Sequence, residues 1–319
     1  MDEIDFGLCM SLVVNYRVPY RELAETFKMR VNSIHKRIKS LVDLGVLQNF
    51  NTKLSFLNFP NMVNIIMFGN SKLENKDELL DKLGRHECIF NVTRASGNLY
   101  YIHAFLKNFR GLDPLISFIR QEGEFDDLQI GLDSTPPSPN APMTSSESKT
   151  QIWEKEHLYS DLDFLIINSL KNNSRKPVTD IANEIKKTPK TVRRRLNKMI
   201  EEKLLEFSIE WYPDRSAIIM SIIILKLDPT LHVGKLKIME EMRQEHGQTI
   251  LFSWNLSNLP NLMLVCAWNH SMKELQDLEA SFISKKFKSV NATVLVKGKM
   301  YPSWRDIYLI EKIKDIKAN

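Results

Sequence analysis

Between Lys186 and Lys198 the chain reads KKTPKTVRRRLNK. This stretch holds Lys186, Lys187, Lys190, Arg193, Arg194, Arg195 and Lys198, and no acid. Thr188 followed by Pro189 predicts a helix start, because a hydroxyl caps orphan N–H groups and proline at the first helical position has none to lose. Val192, Leu196, Met199 and Ile200 then fall on one face, as helical spacing requires. Lys190, Arg194 and Asn197 project from the opposite face, flanked by Thr191, Arg193 and Lys198. A short helix with one apolar and one cationic, acid-free face suits the phosphate-lined edge of a DNA major groove. A solvated helix face is the alternative reading of such a run.

Recurrence argues against that alternative. Displaced by 158 positions, the chain matches itself: Asp5-Phe6 meets Asp163-Phe164, Asn15, Arg17 and Pro19 meet Asn173, Arg175 and Pro177, and Arg37 meets Arg195. The earlier copy of the basic stretch, KMRVNSIHKRIK, carries Lys28, Arg30, Lys36, Arg37 and Lys39, again without an acid, over the apolar positions Val31, Ile34, Ile38 and Leu41. A random charge run has no reason to recur in register, so the repeat sets the architecture.

Other reactive side chains do not cluster. His35, His86, His103, His157, His232, His246 and His270 are dispersed without metal-ligand spacing, and Cys9, Cys88 and Cys266 stand singly. Neither a glycine-rich phosphate loop nor a nucleophile signature is present. No cofactor or metal is therefore expected. Unpaired cysteines fit a reducing compartment, the acidic start MDEIDF lacks the order of a signal peptide, and the longest apolar run, Ala217–Leu225, is far short of a membrane helix. A cytoplasmic protein without membrane partners is the expectation. The 319 residues are 43% hydrophobic and 26% charged, with a net charge of only +5, so a nucleic-acid reading must rest on local clustering.

The elements that would position the basic stretches follow from periodicity. Ile4–Val14, Tyr20–Phe27 and Val31–Leu44 predict three helices, with Gly45 as a C-cap and a two-strand wing at Val46–Phe50 and Lys53–Leu57. That is a winged helix-turn-helix. Residues 162–212 repeat it. After each comes strand, helix, two strands joined by a hairpin, helix, strand: a βαββαβ ferredoxin-like unit. Asn98 and Asn261 mark the hairpins. Ala217–Leu227, apolar on both faces, predicts a central strand covered on each side. The fold class is α+β, in two tandem copies. The divisions are 1–57 winged helix, 58–132 ferredoxin-like, 133–157 Pro/Ser-rich linker, 158–213 winged helix, 214–301 ferredoxin-like and 302–319 an amphipathic helix, expected to pack on the second sheet or on a partner.

Ile4-Asp5, the run Ser33…Arg37-Ile38…Leu41…Gly45-Val46-Leu47 and the hairpin at Gly97 resemble the Lrp/AsnC, or feast/famine, family of transcription regulators. Leu162-Asp163, Thr191-Val192…Arg195-Leu196 and Leu204-Leu205 carry the same resemblance in the second copy. The family's hairpin usually reads Gly-x-Tyr-Asp, whereas Gly97-Asn98-Leu99-Tyr100 and Pro260-Asn261-Leu262-Met263 lack the acid. The resemblance implies a DNA-binding regulator with a small-molecule effector of unknown kind. It also implies pairing of βαββαβ units, here within one chain or between two copies. Some heme-biosynthesis decarboxylases, of the siroheme decarboxylase kind, share the layout and resemble this chain at Asn98-Leu99-Tyr100-Tyr101-Ile102-His103, with Arg94 one strand away. An enzyme on that pattern, or a scaffold that binds no DNA, is the alternative.

Duplex DNA is the expected partner. The candidate contacts are Arg30, Asn32, Ser33, Lys36 and Arg37 in the first copy, and Lys187, Lys190, Thr191, Arg193, Arg194, Arg195 and Lys198 in the second. Arg37 and Arg195 lie nearer the core edge, where they either grip phosphate or brace the fold. The linker Asp133–Gln151, as a flexible coil, spans about 22–26 Å and permits neighbouring half-sites about 34 Å apart. The sheet pairing is expected to fix their spacing.

Overall fold

The computed structural model describes the chain to Ala318 except for residues 16, 60, 74–75, 135–158, 213–214, 216–217, 230–233 and 284–286. The first copy opens with α1 (Glu3–Asn15), α2 (Tyr20–Thr26), α3 (Val31–Asp43) and β1 (Leu47–Leu54). It continues through β2 (Val63–Asn70), α4 (Lys76–Leu83), β3 (Ile89–Ala95), β4 (Leu99–Leu106), α5 (Leu112–Gly123) and β5 (Gln129–Leu132). The second copy repeats this as α6 (Asp161–Leu170), α7 (Val178–Glu184), α8 (Pro189–Glu201) and β6 (Leu205–Trp211). Then come β7 (Ile219–Leu227), α9 (Lys235–His246), β8 (Ile250–Asn255), β9 (Leu262–Asn269), α10 (Met272–Ile283), β10 (Phe287–Met300) and a closing helix, α11 (Trp304–Ala318). Two compact units result. One holds Met1–Pro60, Pro137–Arg215 and Trp304–Asn319, and the other Asn61–Pro136 and Ser216–Ser303.

In the first unit the two winged helices share one apolar core, which includes Leu8, Ile34 and Leu41 from one copy and Ile166, Val192 and Met199 from the other. Among the described residues the expected wing hairpins do not form. Each copy supplies a single strand, and β1 pairs antiparallel with β6, from Leu47 opposite Trp211 to Leu54 opposite Leu205. Asn51 and Thr52 therefore lie within a strand and not at a turn. A strand with one buried face gains more from a partner strand than from folding back as an isolated two-stranded hairpin, which is marginal in water. Helix α1 packs on β6 and α6 on β1, so each copy's first helix covers the other's strand. Reciprocal arginines tighten the pair: Arg17 donates to the Ser174 carbonyl at 2.7 Å, and Arg175 to the Val18 carbonyl at 3.1 Å. The spacing of the two helix-turn-helices is thus set inside this unit, which corrects the expectation that the sheets set it.

Helix α11 belongs to the same unit and packs on α6 and β1, not on the second sheet as expected. Its first turn explains why. Trp304 meets Phe59 edge-on at 4.9 Å, and Arg305, 5% exposed, lies over the Phe56 ring. The Arg305 guanidinium donates to the Leu54 carbonyl and to Glu206, each at 2.6 Å. Removing one member of a buried pair strands the other charge. Arg305→Ala should cost about 3 kcal/mol, read as a lowered denaturant midpoint at unchanged slope.

The second unit is one eight-stranded sheet in the order β5-β2-β4-β3-β10-β7-β9-β8. Each half has the ferredoxin-like order, and β10 joins them by pairing with β7 over its first part and β3 over its second. The sheet ends also meet: Asp133 bridges Leu256, and the Asn258 amide accepts from Leu132 N at 2.7 Å and donates to the Ile130 carbonyl at 2.8 Å. Asp133 and Ser134, read as linker, are thereby part of this unit. The rest of the predicted linker lies outside the described residues. Strand β7 is central, as expected. One face meets α9 and α10 through Ile223 and Leu225, and the other meets the first half through Ile222, against Ile66, Phe68 and Tyr101.

Candidate nucleic-acid interface

Helix α8 starts as the sequence predicts. Thr188 caps it, its side chain accepting from Thr191 N at 3.2 Å, and Pro189 stands in the first turn. Val192, Leu196 and Met199 are buried, which turns Lys190, Arg193, Arg194, Asn197 and Lys198 to solvent, with Lys186 and Lys187 exposed just before the helix. Thr191 is half-buried beside Thr188, and Lys198 is drawn to Glu202 at 3.6 Å. In the first copy Ile34, Ile38 and Leu41 are buried, so Arg30, Asn32, Lys36 and Lys39 are exposed and Ser33 is half-buried. His35, which charge counting passes over, is exposed on the same helix.

The turn before each helix is the same. Lys28 and Lys186 both take left-handed backbone, φ 52°, and the next N–H reaches back to a small residue: Met29 to Ala24 and Lys187 to Ala182, each at 2.9 Å. These bonds satisfy carbonyls at the end of the preceding helix and aim the next one.

Two candidates are engaged within the fold. Arg195 forms a two-pronged bond with the carboxylate of Asp163, which is fully buried on α6, and Arg37 holds Asp5 at 2.7 Å and Asp2 at 2.8 Å. Both arginines tie the first helix of their copy to the third. These ion pairs give both arginines the bracing role that the sequence allowed. Burial pushes the Asp163 carboxyl up, but Arg195 and the Ser160 N–H and hydroxyl outweigh it and hold it below the usual range. Lys190, Arg193 and Arg194, by contrast, are exposed and have no carboxylate partner among the described residues.

The decarboxylase-like residues sit in the other unit. His103 lies edge-on to Phe90 at 5.7 Å and Trp254 at 5.4 Å, and burial pulls it down to about 4, so it is neutral at pH 7. Arg94 leans to Asp77 at 3.9 Å. Cys266, the counterpart of His103 in the second half, is a buried thiol pushed up to about 12. Among the described residues no three His, Cys, Asp or Glu side chains gather to hold a metal, and no helix is long and apolar enough to cross a membrane.

Comparison with known proteins agrees with the first unit's geometry. Residues 159–206 match the family model of winged helix-turn-helix DNA-binding domains. An uncharacterized HTH-type transcriptional regulator of Pyrococcus abyssi is 31% identical over 96 residues, which are 29% of this chain and 65% of that protein. Another, of Pyrococcus furiosus, is 24% identical over 40% of this chain and 86% of its own length. The crystal structure of the siroheme decarboxylase NirDL superposes with a TM-score of 0.58 at 9% identity, covering 98% of this chain and 99% of that one, a likeness of fold. Escherichia coli AsnC aligns with 44% of this chain at 17% identity and a TM-score of 0.36, covering 94% of its own length. Residues 159–206 thus carry a winged helix-turn-helix of DNA-binding type, and the chain is similar to HTH-type transcriptional regulators.

Proposed function

We propose that the chain is a sequence-specific transcription regulator of the cytoplasm that reads duplex DNA with α3 and α8 presented together. One observation carries this reading: two exposed, cation-rich helices, matched in their turns and held in a single unit by the β1–β6 ribbon. In this reading Asn32, Ser33 and Lys36 in α3, and Lys190, Thr191 and Arg194 in α8, meet base edges. Arg30, Lys187, Arg193 and Lys198 meet phosphates. The two sets differ, so the site is asymmetric. Selection of the full chain against a random duplex library should enrich two unlike half-sites about one helical turn apart. Enrichment of nothing, or of a perfect inverted repeat, would sink the reading. A small-molecule effector remains part of this proposal, its chemistry unassigned.

The full-length fold likeness to a siroheme decarboxylase supports a second reading, with His103 and Arg94 at a tetrapyrrole site. Absorbance titration with an iron tetrapyrrole decides it: a saturable shift lost in His103→Ala would favour the enzyme, and none leaves the regulator.

A further inference from the structure

The two reading helices differ in more than charge. His35 of α3 occupies the position that Arg193 holds in α8, and Tyr20 of α2 the position that Val178 holds in α7. In the first copy these residues touch: the Tyr20 and His35 rings meet edge-on, centroids 5.5 Å apart and planes at 79°. On Tyr20, in turn, lies the guanidinium of Arg175, 4.5 Å from the ring centroid. Arg175 comes from the second copy and is itself fixed by its bond to the Val18 carbonyl. The stack therefore runs from one copy, across the pair, to the reading helix of the other. It has no mirror image. Arg17, the counterpart of Arg175, lies over Phe207 at 5.7 Å, and α8 carries Arg193 where the stack would end.

We infer that His35 is a specificity-determining residue of the first reading helix, held by the Arg175–Tyr20 stack, while α8 grips chiefly by charge. The inference rests on the DNA-binding reading above. An exposed side chain normally loses rotamer freedom when it binds, and one already seated against a ring loses less. A seated imidazole presents its ring nitrogens in a fixed plane, which suits a base edge. A long, unseated, always-charged arginine suits phosphate, whose recognition needs little direction. Tyr20 and Arg175 are positioning residues in this scheme and touch no base themselves.

The test uses the full chain and the duplex recovered by library selection, together with single-base variants of each half-site. His35→Ala and Tyr20→Val should each reduce discrimination within the first half-site by about threefold to tenfold, the range of one aromatic contact. Discrimination within the second half-site and the salt slope should stay as in the wild type. Tyr20→Val combined with His35→Ala should be no worse than His35→Ala alone, because Tyr20 acts through His35. Arg175→Lys, which keeps the charge and loses the planar stack, should show the Tyr20→Val pattern more weakly and guards against a Tyr20 variant that fails to fold. His35→Arg should steepen the salt slope by about 0.9, the effect of neutralising one more phosphate, and blur the first half-site. Unchanged discrimination in these variants overturns the inference, as do additive losses in the double variant or equal losses at both half-sites. A wild-type chain that binds no duplex is a separate result, and it fails the DNA-binding reading itself.

Discussion

Replacing Lys190, Arg193 and Arg194 with alanine should weaken duplex binding at least about tenfold and lower the salt slope by about 0.9 for each phosphate that is no longer neutralised. Their exposure and the absence of a carboxylate partner among the described residues make these three the available charge of α8. Neutralising a phosphate releases condensed counterions, so removing the cation costs affinity most at low salt. Lys36→Ala with Lys39→Ala, on the less charged α3, should act in the same direction with a smaller effect. Fluorescence anisotropy across a salt series, with circular dichroism to verify the fold, reads both quantities. Equal slopes for wild type and triple variant would remove α8 from the interface.

Arg195→Ala, one position further on, should behave as a folding variant. It strands the Asp163 carboxylate, which has no exposed surface, and deletions of this kind cost about 3–5 kcal/mol. Against a total stability of about 5–15 kcal/mol, that loss is a large share, so the variant should show a lowered denaturant midpoint before any effect on DNA is read. Arg37→Ala should cost only about 1 kcal/mol, because Asp2 and Asp5 keep contact with water. The linkage with pH has a definite sign. The folded Asp163 carboxyl lies below its unfolded value, so its contribution is complete above about pH 4 and is lost as the pH falls from there through the folded value. Urea melts of wild type and Asp163→Asn between pH 3 and pH 7 should converge at the acid end. A constant difference across that range would remove Asp163 from the acid response.

Much of this was legible because the chain contains its own comparison. The offset of 158 positions aligned both helix-turn-helices and both basic stretches, and local periodicity then placed helices within a residue or two, as with Ile4–Val14 against the observed Glu3–Asn15. The bracing arginines were readable too. Asp5 and Arg37 recur together as Asp163 and Arg195, and an acid on the first helix recurring with a base on the third signals a tie between them. What periodicity could not give was the partner of β1. Alternation shows that Leu47–Leu54 has a buried face, but nothing local distinguishes a neighbouring strand from one in the other copy. Helix α11 was misplaced for a related reason: its apolar stripe is equally suited to sheet or helix, and the deciding contact is the buried Arg305, which reads in the sequence as one more surface charge.

The β1–β6 ribbon also changes how occupancy depends on dose. A reader assembled from two separate subunits must first associate, so at high dilution its hold on DNA falls with the square of subunit concentration. Here the second helix arrives on the same polypeptide, and its effective concentration is set by the ribbon and not by the cell. If the proposed reading holds and the chain acts singly, operator filling should follow the first power of protein level. A substitution in one reading helix also alters one half-site alone, whereas in a symmetric dimer it would alter both, so each half of the operator is open to change without the other.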